Sequence, residues 1–311
     1  MSLSALIAAL LLEQLNALAE RKYLPVWMTG YVAYFQHHFN SGAYHHGRAA
    51  WWLAVLPVVA GAALLFWGLH HLHPILAWTF NVLAMYLSMG FRKYSQIYTD
   101  IQLALRGADI AGARSLLSSL RGKKSDDLST DEIARLAIET ILLVALNRLF
   151  ALIVWFVVFS FLGLGGAAGA LLYCMGLALA MHSTEESGSE DSRESYAQKM
   201  RVRLDWLPIR MTAATFAIVG NFEDTAYCWR SQAMSWQDGE EGILLASAAG
   251  ASGVRLGMTV EQNGVRLDRP ELGVGDKGGA EALYCIGRLL WRSSAFMLLV
   301  LFMLTLAGLL R

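Results

Sequence analysis

Four stretches of this 311-residue chain are apolar and long enough to cross a lipid bilayer, and no other feature limits its fold as strongly. They run from Ala49 to Leu69, Pro74 to Phe91, Ile141 to Leu162 and Ala295 to Leu310, with Ala167 to Met181 as a shorter fifth. A bilayer core takes roughly 17 to 25 apolar residues as a helix. Lipid offers backbone groups no hydrogen bonds, so such segments must satisfy their own N–H and C=O groups. Leu3–Leu18, interrupted by Glu13, and Trp206–Gly220, which contains Arg210, are marginal. Both are expected to lie shallow, re-entrant or covered by protein. The expectation is an all-α polytopic integral membrane protein. It has about five transmembrane helices, two shallow or re-entrant helices and helical cytoplasmic loops, in one domain over residues 1–311.

Composition agrees. The chain is 56% hydrophobic and 16% charged, whereas a soluble domain carries about 25% charged residues. Its formal net charge is zero, so no global field points to nucleic acid. Cys174, Cys228 and Cys285 lie far apart without a CxxC, which disfavours a disulfide framework or a zinc ribbon. The first twelve residues carry no positive charge and show no clear cleavage site, so a removable signal peptide is not expected.

The loops set an orientation. Residues 92–135 carry Arg92, Lys93, Arg106, Arg114, Arg121, Lys123, Lys124 and Arg135, and short loops with such an excess stay cytoplasmic. Counting crossings from there puts residues 20–48, 182–205 and 221–293 on the same side. Within 92–135, Tyr94–Leu105 and Ile110–Leu120 read as helices, and Ser129-Thr-Asp-Glu132 is a capping box for a helix entering the span from Ile141. The acidic, serine-rich residues 183–194 are predicted to form a mobile loop. Gly165 and Gly169 suggest close helix packing within the second hairpin.

Several groups are candidates for chemistry. Seven of the eight histidines fall between His37 and His73. The groups before and after the span from Ala49 face opposite sides of a bilayer about 30 Å thick and cannot share an ion. A local ion at His70, with His71 or His73, is an alternative to a structural role, and no metal site is assigned. Asp205 and Arg210 bracket Pro208 ahead of an apolar run that closes on Asn221. Proline fits the first turn of a helix, so Asp205 is expected at or before a helix start, beside free backbone donors, with Arg210 one turn inside. Asn147 and Arg148 stand deep in the span from Ile141. Arg148 is expected to face inward toward a carboxylate such as Glu139, Asp205 or Glu13, as a structural ion pair or as an anion binder. The small residues of 243–257 end near Arg255 without a Walker A lysine. They form either a tightly packed helix or a backbone surface approaching a phosphate, with Arg255 and Arg269 supplying charge.

The run Gly250-Ala-Ser-Gly-Val-Arg-Leu-Gly257, then Asn263-Gly264 and Arg269-Pro-Glu-Leu-Gly273, resembles the C-terminal motif of the CobD/CbiB cobinamide-phosphate synthases. Asp205 to Ala213 resembles that family's N-x-x-P-A-R-L-T-A segment, Ala137-Ile-Glu-Thr140 its A-V-E-T/S helix, and Leu103 to Ser118 its N/G-D-L-x-x-A-R helix. The resemblance covers nearly the whole chain. It implies a bacterial inner-membrane protein, multi-pass with large cytoplasmic loops, related to an ATP-driven amide ligase. That ligase attaches aminopropanol (phosphate) to a corrinoid side-chain carboxylate in cobalamin biosynthesis. ATP and magnesium are implied only through that reaction.

The departures imply ligation altered or lost. Where the family continues V-A-E-N-x-x-D-G, this chain reads Ile141-Leu-Leu-Val-Ala-Leu-Asn147-Arg148; its N-T-L-D-S-M falls at Leu177–His182 without asparagine or aspartate, and Gly-Asp-Pro is missing near Glu13. A sister branch, AmpE, is similar in Leu10, Glu13, Leu15, Leu18 and Glu20, in Leu204-Asp-Trp-Leu-Pro-Ile-Arg-Met211 and in Arg148. AmpE proteins are inner-membrane modulators of the response to cell-wall damage, so that likeness implies a non-catalytic sensor. The candidate catalytic residues are Asp205, Glu139 and Glu13. The candidate anion binders are Arg210, Arg148, Asn147, Asn221, Arg255 and Arg269. The expected partners are the bilayer and a corrinoid or cell-wall-derived anion.

Overall fold

The computed structural model describes residues 2–15, 30–31, 44–122, 128–191, 195–262, 265–277 and 279–309. His37, His38, Glu20 and Asn263-Gly264 lie outside the described residues, as do the side chains of His45 and His46. Helices dominate: α1 (Ser2–Leu15), α2 (Tyr44–Leu72), α3 (Pro74–Ser88), α4 (Phe91–Arg106), α5 (Ile110–Arg121) and α6 (Thr130–Ala145). A π-helical turn, Leu146–Phe150, leads into α7 (Ala151–Phe161). Then come α8 (Gly166–Asp191), α9 (Tyr196–Val219), α10 (Phe222–Ser231), α11 (Gly239–Ser252) and α12 (Ala280–Leu309). Between α11 and α12 lie five short strands: β1 (Val254–Gly257), β2 (Val260–Gln262), β3 (Val265–Leu267), β4 (Glu271–Leu272) and β5 (Asp276–Lys277).

Among the described residues, five helical segments are long and apolar enough to cross a membrane: Arg48–Leu72, Pro74–Arg106, Thr130–Phe161, Gly166–Ser183 and Ala280–Ala307. Each contains most or all of one of the five stretches named from sequence. The protein is a multi-pass α-helical membrane protein in contact with lipid.

The chain divides into two compact units, Met1–Gly90 with Arg148–Pro208 and Phe91–Asn147 with Ile209–Arg311. In the first, the span Gly166–Ser183 is central, 78% buried, whereas Arg48–Leu72 is 28% buried and turns Leu53, Leu56, Leu64 and Trp67 outward. Gly169 lets α8 approach the Trp155 carbonyl of α7 so closely that any side chain there would collide with it. The buried Asn81 of α3 accepts the Ala167 N–H at 2.9 Å, capping the start of α8 from a neighbouring helix. His73 caps α3 through the Ile75 N–H, and His70 stacks on Phe66. Both histidines therefore have structural contacts.

In the second unit the caps explain the boundaries. Asp109 accepts the Gly112 N–H at the start of α5, and Gly122, left-handed at φ 69°, ends it. The capping box of Ser129 and Glu132 starts α6. Helices α4 and α5 bury Tyr98, Ile101, Leu105, Ala113, Leu117 and Leu120. Helix α11 is buried almost throughout, because Gly242 and Gly250 let its backbone lie against the Ala233 and Asp224 carbonyls. It delivers the chain to β1, which pairs antiparallel with β4 and parallel with β5.

Three expectations need correction, and the last helix outruns the apolar run named from sequence. Pro208 lies inside α9, not in its first turn, so Asp205 is a mid-helix residue and caps nothing. The Leu204 carbonyl, deprived of an N–H by Pro208, instead accepts the Trp155 indole N–H at 3.1 Å, which lets the helix continue. Residues 183–191 extend α8 and are no loop; once a long apolar helix exists, adding glutamate-containing turns avoids a new nucleation cost. The last helix begins at Ala280, fifteen residues before the apolar run at Ala295, because its first turns bury an amphipathic face. The small-residue run is not one helix: it ends at Ser252, Gly253 turns left-handed, and Val254–Gly257 is a strand.

Candidate functional site

Arg269 places one guanidinium nitrogen 2.7 Å from the Glu139 carboxylate, and the pair is mostly buried. The elements explain the meeting. Glu139 faces the interior from α6, a helix with Ile138, Ile141 and Leu142 buried around it. Arg269 lies in the segment that leads into β4, whose pairing with β1 fixes Gly257 opposite Glu271. The Gly257 N–H donates to the other Glu139 oxygen at 3.0 Å. The Gly257 carbonyl accepts from Arg269 at 3.4 Å and from the buried Arg135 at 3.5 Å. One peptide group thus joins a carboxylate to two arginines.

A third arginine completes the cluster. Arg121, at the end of α5, acts electrostatically on both Glu139 and Arg269. Burial above all, with repulsion from Arg269, pulls its guanidinium pKa below the ordinary arginine value, against the pull of Glu139. Trp236 lies 5.5 Å from the Arg269 guanidinium carbon, ring face toward the cation. Three guanidinium cations face one carboxylate, leaving a positive excess. Among the described residues, the buried Arg121 Nη1 and Arg269 Nε have no hydrogen-bond partner. Buried donors without acceptors are uncommon, and these two suit the oxygens of a phosphate or carboxylate. Arg135, Arg121 and Trp236 were missed as site residues in the sequence. The available signal was Arg135 four positions before Glu139, on the same face of one helix.

The other sequence candidates occupy separate positions. Arg210 forms a two-pronged ion pair with Glu240, at 2.6 and 3.1 Å. Arg255 pairs with Glu271 at 3.0 Å, both side chains largely exposed. Asn221 caps α10: its side-chain Oδ1 accepts the Glu223 and Asp224 N–H groups, and its side-chain Nδ2 donates to the Asp224 carboxylate. In the first unit, Asp205 is buried, accepts the Tyr173 hydroxyl at 2.7 Å and lies 3.4 Å from Arg201. Glu13 is buried in α1. Arg148 and Asn147 sit in the π-helical turn, with Arg148 close enough to act electrostatically on Cys174. Of the three carboxylates suggested for Arg148, Glu139 is held by Arg269 and Gly257, and Asp205 is engaged by Tyr173 and Arg201. Among the described residues no group of three His, Cys, Asp or Glu side chains could hold a metal ion.

The family model described as CobD/Cbib protein matches residues 6–283. The cobalamin biosynthesis protein CobD of Stutzerimonas stutzeri (strain A1501) is 30% identical over 301 residues, 96% of each chain. The cobalamin biosynthesis protein CobD of Chromobacterium violaceum is 31% identical over 248 residues, covering 76% of each chain. The cobalamin biosynthesis protein CbiB of Salmonella typhimurium is 24% identical over 82% of this chain and 80% of its own. No solved structure matches the chain. On the extent of these matches, the chain belongs to the CobD/CbiB protein family.

Proposed function

We propose that the chain serves cobalamin biosynthesis at the bacterial inner membrane, at the attachment of an aminopropanol arm to a corrinoid carboxylate. Its contribution is to grip the anionic group of a substrate at Arg121, Arg135 and Arg269. The observation that carries the reading is the excess of buried and partly buried guanidinium groups around Glu139, with two buried donor atoms left unpartnered among the described residues. The names of relatives aligned over nearly the full chain support the pathway. The lysine and arginine content of residues 92–135 supports a cytosolic position for that loop. The family model's extent supports one working domain over residues 1–311.

The donor set does not fit magnesium. Glu139 is occupied by a cation and a backbone N–H, and no carboxylate cluster lies beside it among the described residues. Asp205, Glu13 and Glu139 are the acids proposed for any proton transfer. The change from the family's acidic pattern at 141–148 favours a second reading, binding without ligation, of the kind implied by AmpE.

Binding is tested on the purified membrane protein with aminopropanol phosphate and with cobyric acid as probes. Trp236 against Arg269 supplies a fluorescence signal. Saturable binding that disappears in Arg269→Gln is expected; no binding of either probe by well-folded protein would overturn the proposal. Complementation then assigns the chemistry. The gene is placed in a bacterium lacking its own synthase and asked to support growth that requires cobalamin made from cobyric acid. Growth establishes ligation, and its absence despite membrane expression and retained binding establishes the second reading.

A further inference from the structure

Helix α12 is longer than a bilayer is thick. Its 30 residues span about 45 Å at 1.5 Å per residue, against a hydrocarbon core of about 30 Å. The apolar run begins after Arg292, so the turns holding Tyr284, Arg288, Trp291 and Arg292 emerge at the membrane–water boundary. Tryptophan and tyrosine are enriched at that level. Tyr284 and Trp291 are 49% and 59% exposed, free to meet lipid at that level.

A second helix brings another cation to the same place. Tyr98 of α4 donates its hydroxyl to the Leu283 carbonyl at 2.7 Å, anchoring α4 against the start of α12. Arg106, at the end of α4, then lies 5.7 Å from the centre of the Tyr284 ring. Arg288 approaches the same ring at 5.6 Å. Arg292 follows Arg288 by four residues on the same helical stripe. All three arginines are exposed, and no carboxylate of the described residues forms an ion pair with them. Two like charges on one aromatic ring raise the local positive potential and attract anions, and at this depth the most concentrated anion is lipid phosphate.

We propose that Arg106, Arg288 and Arg292, arranged around Tyr284 and Trp291, form a site for the phosphate headgroup of an anionic phospholipid. The guanidinium groups take the phosphate oxygens, and the two aromatic side chains lie along the upper acyl chains. The site is separate from the Glu139 cluster and does not depend on the proposed function.

The test reconstitutes the full chain in bilayer discs of equal phosphatidylglycerol and phosphatidylethanolamine and reads the ratio of the two lipids retained, by native mass spectrometry. Enrichment of phosphatidylglycerol is expected, falling about fivefold for each of Arg106→Gln and Arg288→Gln. Arg230→Gln, an exposed arginine elsewhere, should leave it unchanged. The wild-type preference must also weaken as salt rises from about 0.1 to about 1 M, where screening shortens from ~10 to ~3 Å; that measurement needs no variant. Millimolar inorganic phosphate should not displace the lipid. Enrichment that survives both substitutions, that falls equally in Arg230→Gln, or that free phosphate abolishes would overturn the proposal.

Discussion

Glu139 and Arg269 stand 130 positions apart in the chain and meet at 2.7 Å. Their contact ties α6 to the segment entering β4, and the Gly257 N–H locks the second carboxylate oxygen. Removing one member of such a pair leaves the other without its counter-charge, which costs more than removing both. Glu139→Gln is expected to lose about 2 kcal/mol of stability. Glu139→Gln combined with Arg269→Gln should recover at least half of it. Denaturant unfolding of the detergent-solubilised single and double variants checks this; additive losses would show that the pair is not coupled.

Two left-handed glycines, one just before β1 and one at its last position, separate conformational strain from collision. Gly253 has φ 67° with nothing within 4 Å of the place a methyl group would take, whereas Gly257 has φ 75° and would drive a methyl into the Pro270 carbonyl. Gly253→Ala is expected to cost about 1–2 kcal/mol, the left-handed penalty alone. Gly257→Ala should cost more than about 3 kcal/mol, since its strand must move and release Glu139 and Arg269. Thermal unfolding of the two variants side by side decides it.

Pro208 and Trp155 form a compensated defect within the first unit. The indole N–H occupies the Leu204 carbonyl that the proline leaves open. Trp155→Phe should therefore cost about 1–2 kcal/mol beyond any packing change. In a Pro208→Ala background the restored N–H takes over that carbonyl, and the same substitution should cost distinctly less. Equal costs in both backgrounds, measured by the cycle of four proteins, would remove this account.

Burial and the nearby Asp224 raise the Cys228 thiol above its ordinary value of 9.0. The folded state holds its proton more tightly than the unfolded state, so its stabilising share is full below about pH 9 and declines as pH rises through the folded value. Alkylation kinetics check the first consequence. Exposed Cys285 should react first, with Cys228 protected until the protein unfolds. Melting temperature should fall as pH rises above about 9 in wild type and fall less in Cys228→Ala.

The spans were legible because lipid leaves little choice: long apolar runs must be helices, and five of them reappear in the fold. The cap at Ser129 was legible because it depends on two residues three positions apart. The environment of Pro208 was not, since the rescue of its helix comes from Trp155, distant in sequence. The meeting of Glu139 with Arg269 was hidden for the same reason: both were named, but only β1–β4 pairing joins them. Arg121 reads as a loop charge that sets orientation, and nothing local marks it as part of the cluster; for Arg135 the one local signal is its place four positions before Glu139 on one helix face.

Arg121 offers the sharpest separation of stability from binding. Its guanidinium is charged at every ordinary pH, and burial with Arg269 nearby disfavours that charge in the fold, against the attraction of Glu139. A residue kept for stability would be lost at a penalty; one kept for an anion would not. Arg121→Gln should leave the melting temperature unchanged or raise it slightly, while affinity for aminopropanol phosphate falls about tenfold, the size of one charged hydrogen bond. A variant that melts earlier and binds as well as wild type would make Arg121 a structural cation and move the anion site elsewhere.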